Sequence, residues 1–419
     1  MGFRQDLKDA INHHQPRRVP VDFGGTAVTG IHALCMKKLR EYYNLEHRPV
    51  KIVEPYQMLG LMEEDLMEAM GITVVGVIPS GNLFGFGNLP PYKHYITLWG
   101  QDVLVPEGFS TVTGSDGSEY IFPCGDTTVP PSARMAVGSY FFDSITRQQT
   151  LDESKLDFQD NLEEFNPVTE VELVHLRKEA VRLGQLDMGV IGGLPGAGLG
   201  DIAWVPGPGL RHPKGIRDVA EWYVTTVMRT DYVHRLFEAQ TEIALNNLPK
   251  LWEVLGSTVD AVYVCGTDFG TQNSQFCSRT TFESLYAPYY RCINNWVHTN
   301  TTWKTFKHSC GAVAPLLPSF IDAGFDIINP VQCSASGMDP LTLKKEFGSK
   351  LVFWGGGVDT QHTLPFGTPE QVRKETLSRL EVFSKDGGFV FNTVHNIQAN
   401  TPVENVAAMI EAVKEFNGA

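Results

Sequence analysis

His308-Ser309-Cys310 is the part of this sequence best equipped for chemistry, standing at the end of the strand-like run Thr305 to Lys307 and followed by Gly311. Alternate residues of a strand project to the same face, so an imidazole and a thiol leave this one side by side. These are favoured zinc ligands, and a strand running into a glycine turn holds them on a rigid edge. A third candidate ligand, His395, lies in Val394-His395-Asn396-Ile397, also just past a strand-like run. Three N/S ligands leave a fourth position open, which is the pattern of a catalytic rather than a structural zinc. The plainer alternative makes His395 a hydrogen-bonding residue without metal.

The elements that must position these residues form a repeating pattern. Eight short apolar runs read as strands: Val19–Phe23, Thr73–Ile78, Met188–Gly192, Ala261–Val264, Thr305–His308, Ile327–Pro330, Leu351–Trp354 and Phe389–Thr393. Helical segments Thr281–His298, Val313–Ala323, Pro340–Phe347, Pro369–Lys385 and Pro402–Phe416 separate the later ones. Strands alternating with helices imply a parallel sheet, and eight of them favour a closed (β/α)8 TIM barrel. Barrel active sites form at the strands' C-terminal ends, where His308, Cys310 and His395 fall, on the fifth and eighth candidate strands. Gly24-Gly25-Thr26-Ala27 after the first strand is no dinucleotide fingerprint.

About a hundred residues separate the second and third strands, too many for an ordinary connection. Residues 81–186 therefore read as an insertion within a single domain spanning 1–419. Thr97–Val105 and Ser110–Thr113 alternate, and Ser115-Asp116-Gly117-Ser118 is a turn before Glu119–Pro123, so a hairpin is expected. Asp157–Glu164 reads as an exposed acidic link, and His175–Leu186 as a helix. Emerging after a strand, the insertion would lie over the barrel mouth as a lid or docking segment, or serve only as a stabilising decoration.

Composition narrows the partners. A formal charge of −14 over 419 residues argues against nucleic acid or an anionic membrane. Seven scattered cysteines do not look like a disulfide framework, and no stretch approaches a membrane span or a signal peptide's apolar core. A cytoplasmic location is the simplest expectation.

Arg18-Val19-Pro20-Val21, Gly266-Thr267-Asp268-Phe269-Gly270-Thr271-Gln272-Asn273, His308-Ser309-Cys310-Gly311, Trp354-Gly355-Gly356-Gly357-Val358-Asp359 and His395-Asn396-Ile397 with Thr401-Pro402-Val403-Glu404-Asn405 together resemble the uroporphyrinogen decarboxylase superfamily. The resemblance implies a (β/α)8 barrel and one of two activities. One branch decarboxylates porphyrinogens without cofactor; the other uses Zn2+ to exchange methyl groups with a corrinoid (cobamide) on a partner protein. Decarboxylases resemble one another in an arginine-rich segment after the first strand. Here it reads Asp22-Phe23-Gly24-Gly25-Thr26-Ala27-Val28-Thr29, with no basic residue to pair a polycarboxylate. The methyltransferase branch is marked by His-x-Cys at the fifth strand, which is present. Its third ligand is commonly a Cys where this chain has His395, as the decarboxylases do. Cys265 and Cys333 are alternative third ligands at other strand ends.

Beyond the metal set, Asp268 and Asp22 are candidate catalytic residues, and Gln272, Asn273, Phe23 and Trp354 candidate substrate contacts. For Asp268 an Asx turn shaping its own loop is an equal reading. His32 and His362 lie near the same strand ends. Aromatic residues and few basic ones around the site favour an aromatic methyl ether, giving O-demethylation. A methyl-corrinoid:thiol transfer, a uroporphyrinogen-type decarboxylation and a non-catalytic cobamide- or metal-binding role are the alternatives. The chain contains no Asp-x-His-x-x-Gly cobalt-carrying segment, so the corrinoid is expected on a partner. The oligomeric state is left open, a homodimer being one option.

Overall fold

A computed structural model describes residues 2–418. Seven of the eight expected strands form one parallel sheet. Its order is Phe389–Val390, Val352–Trp354, Ile327–Asn329, Lys304–His308, Ala261–Cys265, Gly189–Gly193 and Val74–Gly76. The protein is thus mixed α/β around a curled parallel sheet. The expected first strand, Val19–Phe23, is not a regular strand. Val21 makes one parallel bridge to Phe391 and Asp22 one to Val74, so this short segment touches both edges of the sheet. Pro20 has no N–H to donate, which limits the ladder here; its carbonyl accepts from Phe391 N at 2.8 Å.

Alternation along the strands sorts their side chains into two cores. Val74, Ile191, Ala261, Phe306, Ile327, Val352, Trp354 and Val390 pack together inside the curl. Leu7 and Ile11 of the helix Phe3–Ile11 join this cluster, and Gly388 N donates to Ala10 O at 2.8 Å just ahead of the last strand. The helix therefore plugs the strands' N-terminal ends, leaving the opposite end for a site. The alternate residues, including Val75, Val190, Val262, Val264, Ile328 and Phe353, face the surrounding helices. His308 lies two residues beyond Phe306, and Asn329 two beyond Ile327, so both continue the inward face at the open end.

The later helices follow the expected spans with proline-dictated adjustments. Thr281–His298 is two helices, Arg279–Leu285 and Ala287–Asn300, parted at Tyr286 with Pro288 in the first turn of the second. Val313–Ala323 becomes a tight turn, Ala314–Leu316, followed by Leu317–Asp322, each holding a proline near its start. Pro340–Phe347, Pro369–Phe383 and Val403–Phe416 match closely.

The region between the second and third candidate strands departs further from expectation. Thr97–Val105 is not one strand: Thr97 and Gln101 close a turn between antiparallel Tyr92–Ile96 and Asp102–Pro106. This pair is completed by Val50–Glu54 and Leu59–Gly60, whose short runs carry little periodicity, giving a four-stranded sheet. The second hairpin is present as Thr111–Thr113 and Glu119–Ile121, extended by Ala133–Met135 and Asp143–Ser144. The expected exposed link 157–164 is instead tied down. Asn161 is buried, and Glu164 pairs with the wholly buried Arg217 at 2.6 Å, a guanidinium that requires a partner once removed from water. The helix expected at His175–Leu186 runs from Glu170 to Gly184, started by a Thr169–Glu172 capping box. Among the described residues no helix is long and apolar enough to cross a membrane.

Gly311 ends the strand turn that carries Cys310, with φ +87°, and an added Cβ would lie 2.4 Å from the Gly270 carbonyl carbon. A Gly311→Ala variant is expected to lose about 1–3 kcal/mol of stability from positive φ and backbone collision, read as a lower denaturation midpoint in urea at unchanged slope.

Candidate metal centre

Five hydrogen bonds position the segment from His308 to Ala312. Ser309 N donates to Asn329 O (2.6 Å), and Ser309 Oγ accepts from Phe269 N (2.8 Å). Cys310 N donates to Asp268 Oδ1 (2.7 Å), Gly311 N to Gln332 Oε1 (2.9 Å), and Ala312 N to Thr271 O (2.8 Å). The loop after Ala261–Cys265 is thereby stitched to the loop after Lys304–His308. Lys307, fully buried on the outward face, adds a further clamp: its ammonium donates to Thr267 O at 2.7 Å and His308 O at 2.6 Å.

The site's central geometry follows from one amide. Asn329 Nδ2 donates to Trp354 O at 2.9 Å, which aims Oδ1 at His308, whose Nδ1 stands 2.6 Å away. An amide oxygen only accepts, so Nδ1 of His308 carries the proton and Nε2 presents a lone pair. Cys310 Sγ is 3.4 Å from that Nε2. Tetrahedral zinc with ordinary N and S bond lengths has an N–S edge of about 3.5 Å. The ligand atoms of His308, Cys310 and His395 all lie within 4.8 Å of one another, with His308 buried and the other two partly exposed. The donor set therefore fits a zinc ion, and these three residues are the ones that would hold it.

Electrostatics favour ligation. Burial lowers the pKa of His308, and burial followed by the neighbouring His308 takes His395 down to about 4, so both rings are neutral at neutral pH. Burial, then the Asp268 carboxylate, holds the Cys310 thiol well above its ordinary range. A bound cation reverses that balance and the proton leaves.

Of the other anticipated residues, Asp268 is at the centre: Oδ1 holds Cys310 N and stands 3.8 Å from His308 Nε2. Asp22 is fully buried, accepting from Trp354 Nε1 and Gly25 N at 2.8 Å each, and burial raises its pKa to about 6. Its oxygens support the strand ends and do not join the His/Cys/His cluster. Phe23 and Trp354 are buried, 1% and 0% exposed: Trp354 packs inside the curl, whereas Phe23 packs in the core between the sheet and the helices; neither lines open space. Gln272 is exposed but committed to the loops, accepting from Gln332 (2.7 Å) and donating to Ser334 O (2.8 Å), while Asn273 is exposed beside it. Neither Cys265 nor Cys333 joins the cluster; Cys265 packs against Tyr290 and Lys307. His32 caps the helix Ala33–Tyr42, and His362 is an exposed neighbour of Asp359.

Asn329, Gln332, Tyr263 and Asp201 were not singled out from the sequence. Asn329 directly follows the apolar Ile327-Ile328, and Gln332 comes three residues later, a readable signal at a strand's C-terminal end. Asp201 follows the glycine-rich run Gly192 to Gly200 and accepts from Gly266 N at 3.1 Å; burial, then Asp268, raises its pKa to about 6. Tyr263 faces inward next to His308, ring centroids 6.5 Å apart.

A curled parallel α/β sheet with three convergent N/S donors at its C-terminal rim defines the class of protein. Residues 210–416, about half of the chain, match the sequence profile of the uroporphyrinogen decarboxylase family (URO-D), and this region belongs with that superfamily. Uroporphyrinogen decarboxylases of Coxiella burnetii and Pseudoalteromonas translucida are 30% and 34% identical over 89 residues. Each alignment covers 20% of this chain and 24% of the relative, so the chain matches about a quarter of the length of these curated relatives. Among solved structures, a methyltransferase from Methanosarcina mazei shares the fold, with TM-score 0.55, 16% identity and 99% of each chain covered.

Removing the acceptor behind His308 should loosen the metal without removing a ligand. Asn329→Ala is expected to weaken zinc binding 10- to 100-fold, measured by competition with a chromophoric chelator. Because the Cys310 thiol must lose its proton, apparent affinity of the wild type should rise by about tenfold per pH unit from about pH 6 to 8; a flat profile would remove the thiolate from the ligand set.

Proposed function

We propose that this protein is a zinc-dependent methyltransferase moving a methyl group between a small methylated substrate and the cobalt of a corrinoid carried by a partner protein. The supporting observation is the convergence of His308, Cys310 and His395 at the open end of the sheet. The full-length likeness to a methyltransferase fold agrees with it. On this reading the sheet is the rim of a (β/α)8 barrel whose first strand is the Val21–Asp22 segment. Residues 81–186 then form the lid or docking segment of a single domain, and the protein works in the cytoplasm.

A zinc ion held by these three side chains would supply Lewis acidity to the substrate's heteroatom, improving it as a leaving group. The chain's own residues do the rest. Asn329 keeps the His308 lone pair aimed at the ion. Asp268 fixes Cys310 through its backbone amide and offers a carboxylate oxygen at the mouth. Asp22 holds Trp354 and Gly25, and so the rim, in place. The site's inward face presents carboxylates and Tyr263, whereas the nearby cation Lys307 is turned outward and spent on two carbonyls. This favours an uncharged substrate. An aromatic methyl ether, giving O-demethylation, is the proposed one. The aromatic contacts are reassigned from the buried Phe23 and Trp354 to Tyr263 and the exposed Phe276, which stacks on Tyr223.

One specific observation favours a second reading, uroporphyrinogen-type decarboxylation: the curated relatives are decarboxylases. Against it stands the segment Asp22 to Thr29, where no basic residue offers a pair to an anionic tetrapyrrole. The test is methyl transfer from a methoxybenzene to a reduced corrinoid protein. Wild type should turn over, and His308→Ala and Cys310→Ala should fall by at least about 100-fold, the loss seen when a principal electrophilic group is removed. Decarboxylation of uroporphyrinogen without methyl transfer would contradict the assignment.

A further inference from the structure

The two imidazoles of the cluster are not in equivalent states. His308 is ready to ligate: Nδ1–H is spent on Asn329, and the Nε2 lone pair faces Cys310 Sγ at 3.4 Å. His395 is held the other way. Its Nδ1 accepts the backbone N–H of Asn396 at 2.8 Å, so the proton of the neutral ring sits on Nε2. A ring in that state has no free lone pair. Ligation through Nε2 would put the proton on Nδ1, against the Asn396 N–H, and two donors cannot share that contact. Ligation through Nδ1 would consume the lone pair the amide uses. Either route abolishes the Asn396 hydrogen bond.

Asn396 cannot simply follow the ring. Its side chain is fully engaged, with Oδ1 accepting from Gly30 N at 2.6 Å and Nδ2 donating to Ala27 O at 2.9 Å and Gln57 Oε1 at 2.8 Å. Thr393 Oγ1 holds the His395 carbonyl at 2.5 Å. The backbone on both sides of His395 is therefore anchored, and the ring has to move against it.

We infer that His395 is a switching ligand: it leaves the Asn396 amide and exchanges its proton between ring nitrogens to engage the metal, after His308 and Cys310 have already bound. The inference rests on the metal-site part of the proposed function. The proton balance is simple when Nε2 ligates: Nε2 of His395 loses a proton, Nδ1 gains one, and only Cys310 releases a proton to solvent. The last ligand to arrive, bound at the expense of a backbone hydrogen bond, is also the first to leave. That makes His395, rather than Cys310, the member of the set that can open a coordination position for substrate. The loop Gly24–Gly30 and Gln57, tied to Asn396, should respond to loading.

The test uses the full-length chain labelled with 15N-histidine, followed by long-range 1H–15N correlation during titration with zinc chloride; His308→Ala and His395→Ala provide assignments. Expected is His395 as the Nε2–H tautomer without zinc and with Nδ1 protonated when loaded, while His308 keeps Nδ1–H throughout. Uptake followed by stopped flow against a chromophoric chelator should show two phases in wild type and lose the slower one in His395→Ala. His395 keeping one tautomer throughout, while His308 responds to zinc, overturns the switch and leaves the metal site standing. No response from either ring overturns both.

Discussion

The hydrogen bond between His308 Nδ1 and Asn329 Oδ1 decides what this site can be, because it chooses which imidazole nitrogen faces the open end of the sheet. The choice is propagated by backbone rather than by another titrating group: Trp354 O takes the Asn329 amide hydrogen, so the orientation does not change with pH. His308 and Asn329 are register partners on adjacent strands. The parallel pairing that builds the sheet therefore also places ligand and orienting residue side by side, and fold and site rest on one contact.

Buried charge is handled in two ways around this centre. Arg217 is given a carboxylate, Glu164. Lys307 is given carbonyls and the faces of Phe269 and Tyr290, at 5.1 and 5.5 Å. An ammonium in such a place is costly to desolvate, and here it fastens the Asp268 loop to the His308 strand end. The inner surface itself keeps Asp268, Asp201 and Tyr263. Neutral imidazoles beside carboxylates invite a cation, and a dication suits them better than an anionic substrate does.

Much of the fold was legible because a parallel sheet buried on both faces reads as short apolar runs, and seven of these fall where Val, Ile and Phe cluster. The eighth was harder to place: Pro20 interrupts its ladder, so Val19–Phe23 survives as two bridges. The sheets between residues 50 and 144 were poorly legible because their strands are short and partly exposed, with periodicity shared between turn and strand, as at Thr97–Gln101. In the site, His308, Cys310 and His395 could be read from residue type at strand ends. Phe23 and Trp354 misled, since an aromatic at a strand end faces the interior as readily as a ligand. Asn329 and the His395–Asn396 contact depend on side-chain orientation and on register between distant segments, which no local pattern carries.

X-ray absorption at the zinc K-edge on the purified full-length protein tests the central claim most directly. The account predicts close to one zinc per chain, with two nitrogen shells near 2.0–2.1 Å and one sulfur near 2.3 Å, the sulfur vanishing in Cys310→Ala. Zinc bound without sulfur, or protein that takes up no zinc after incubation with the ion, would contradict it.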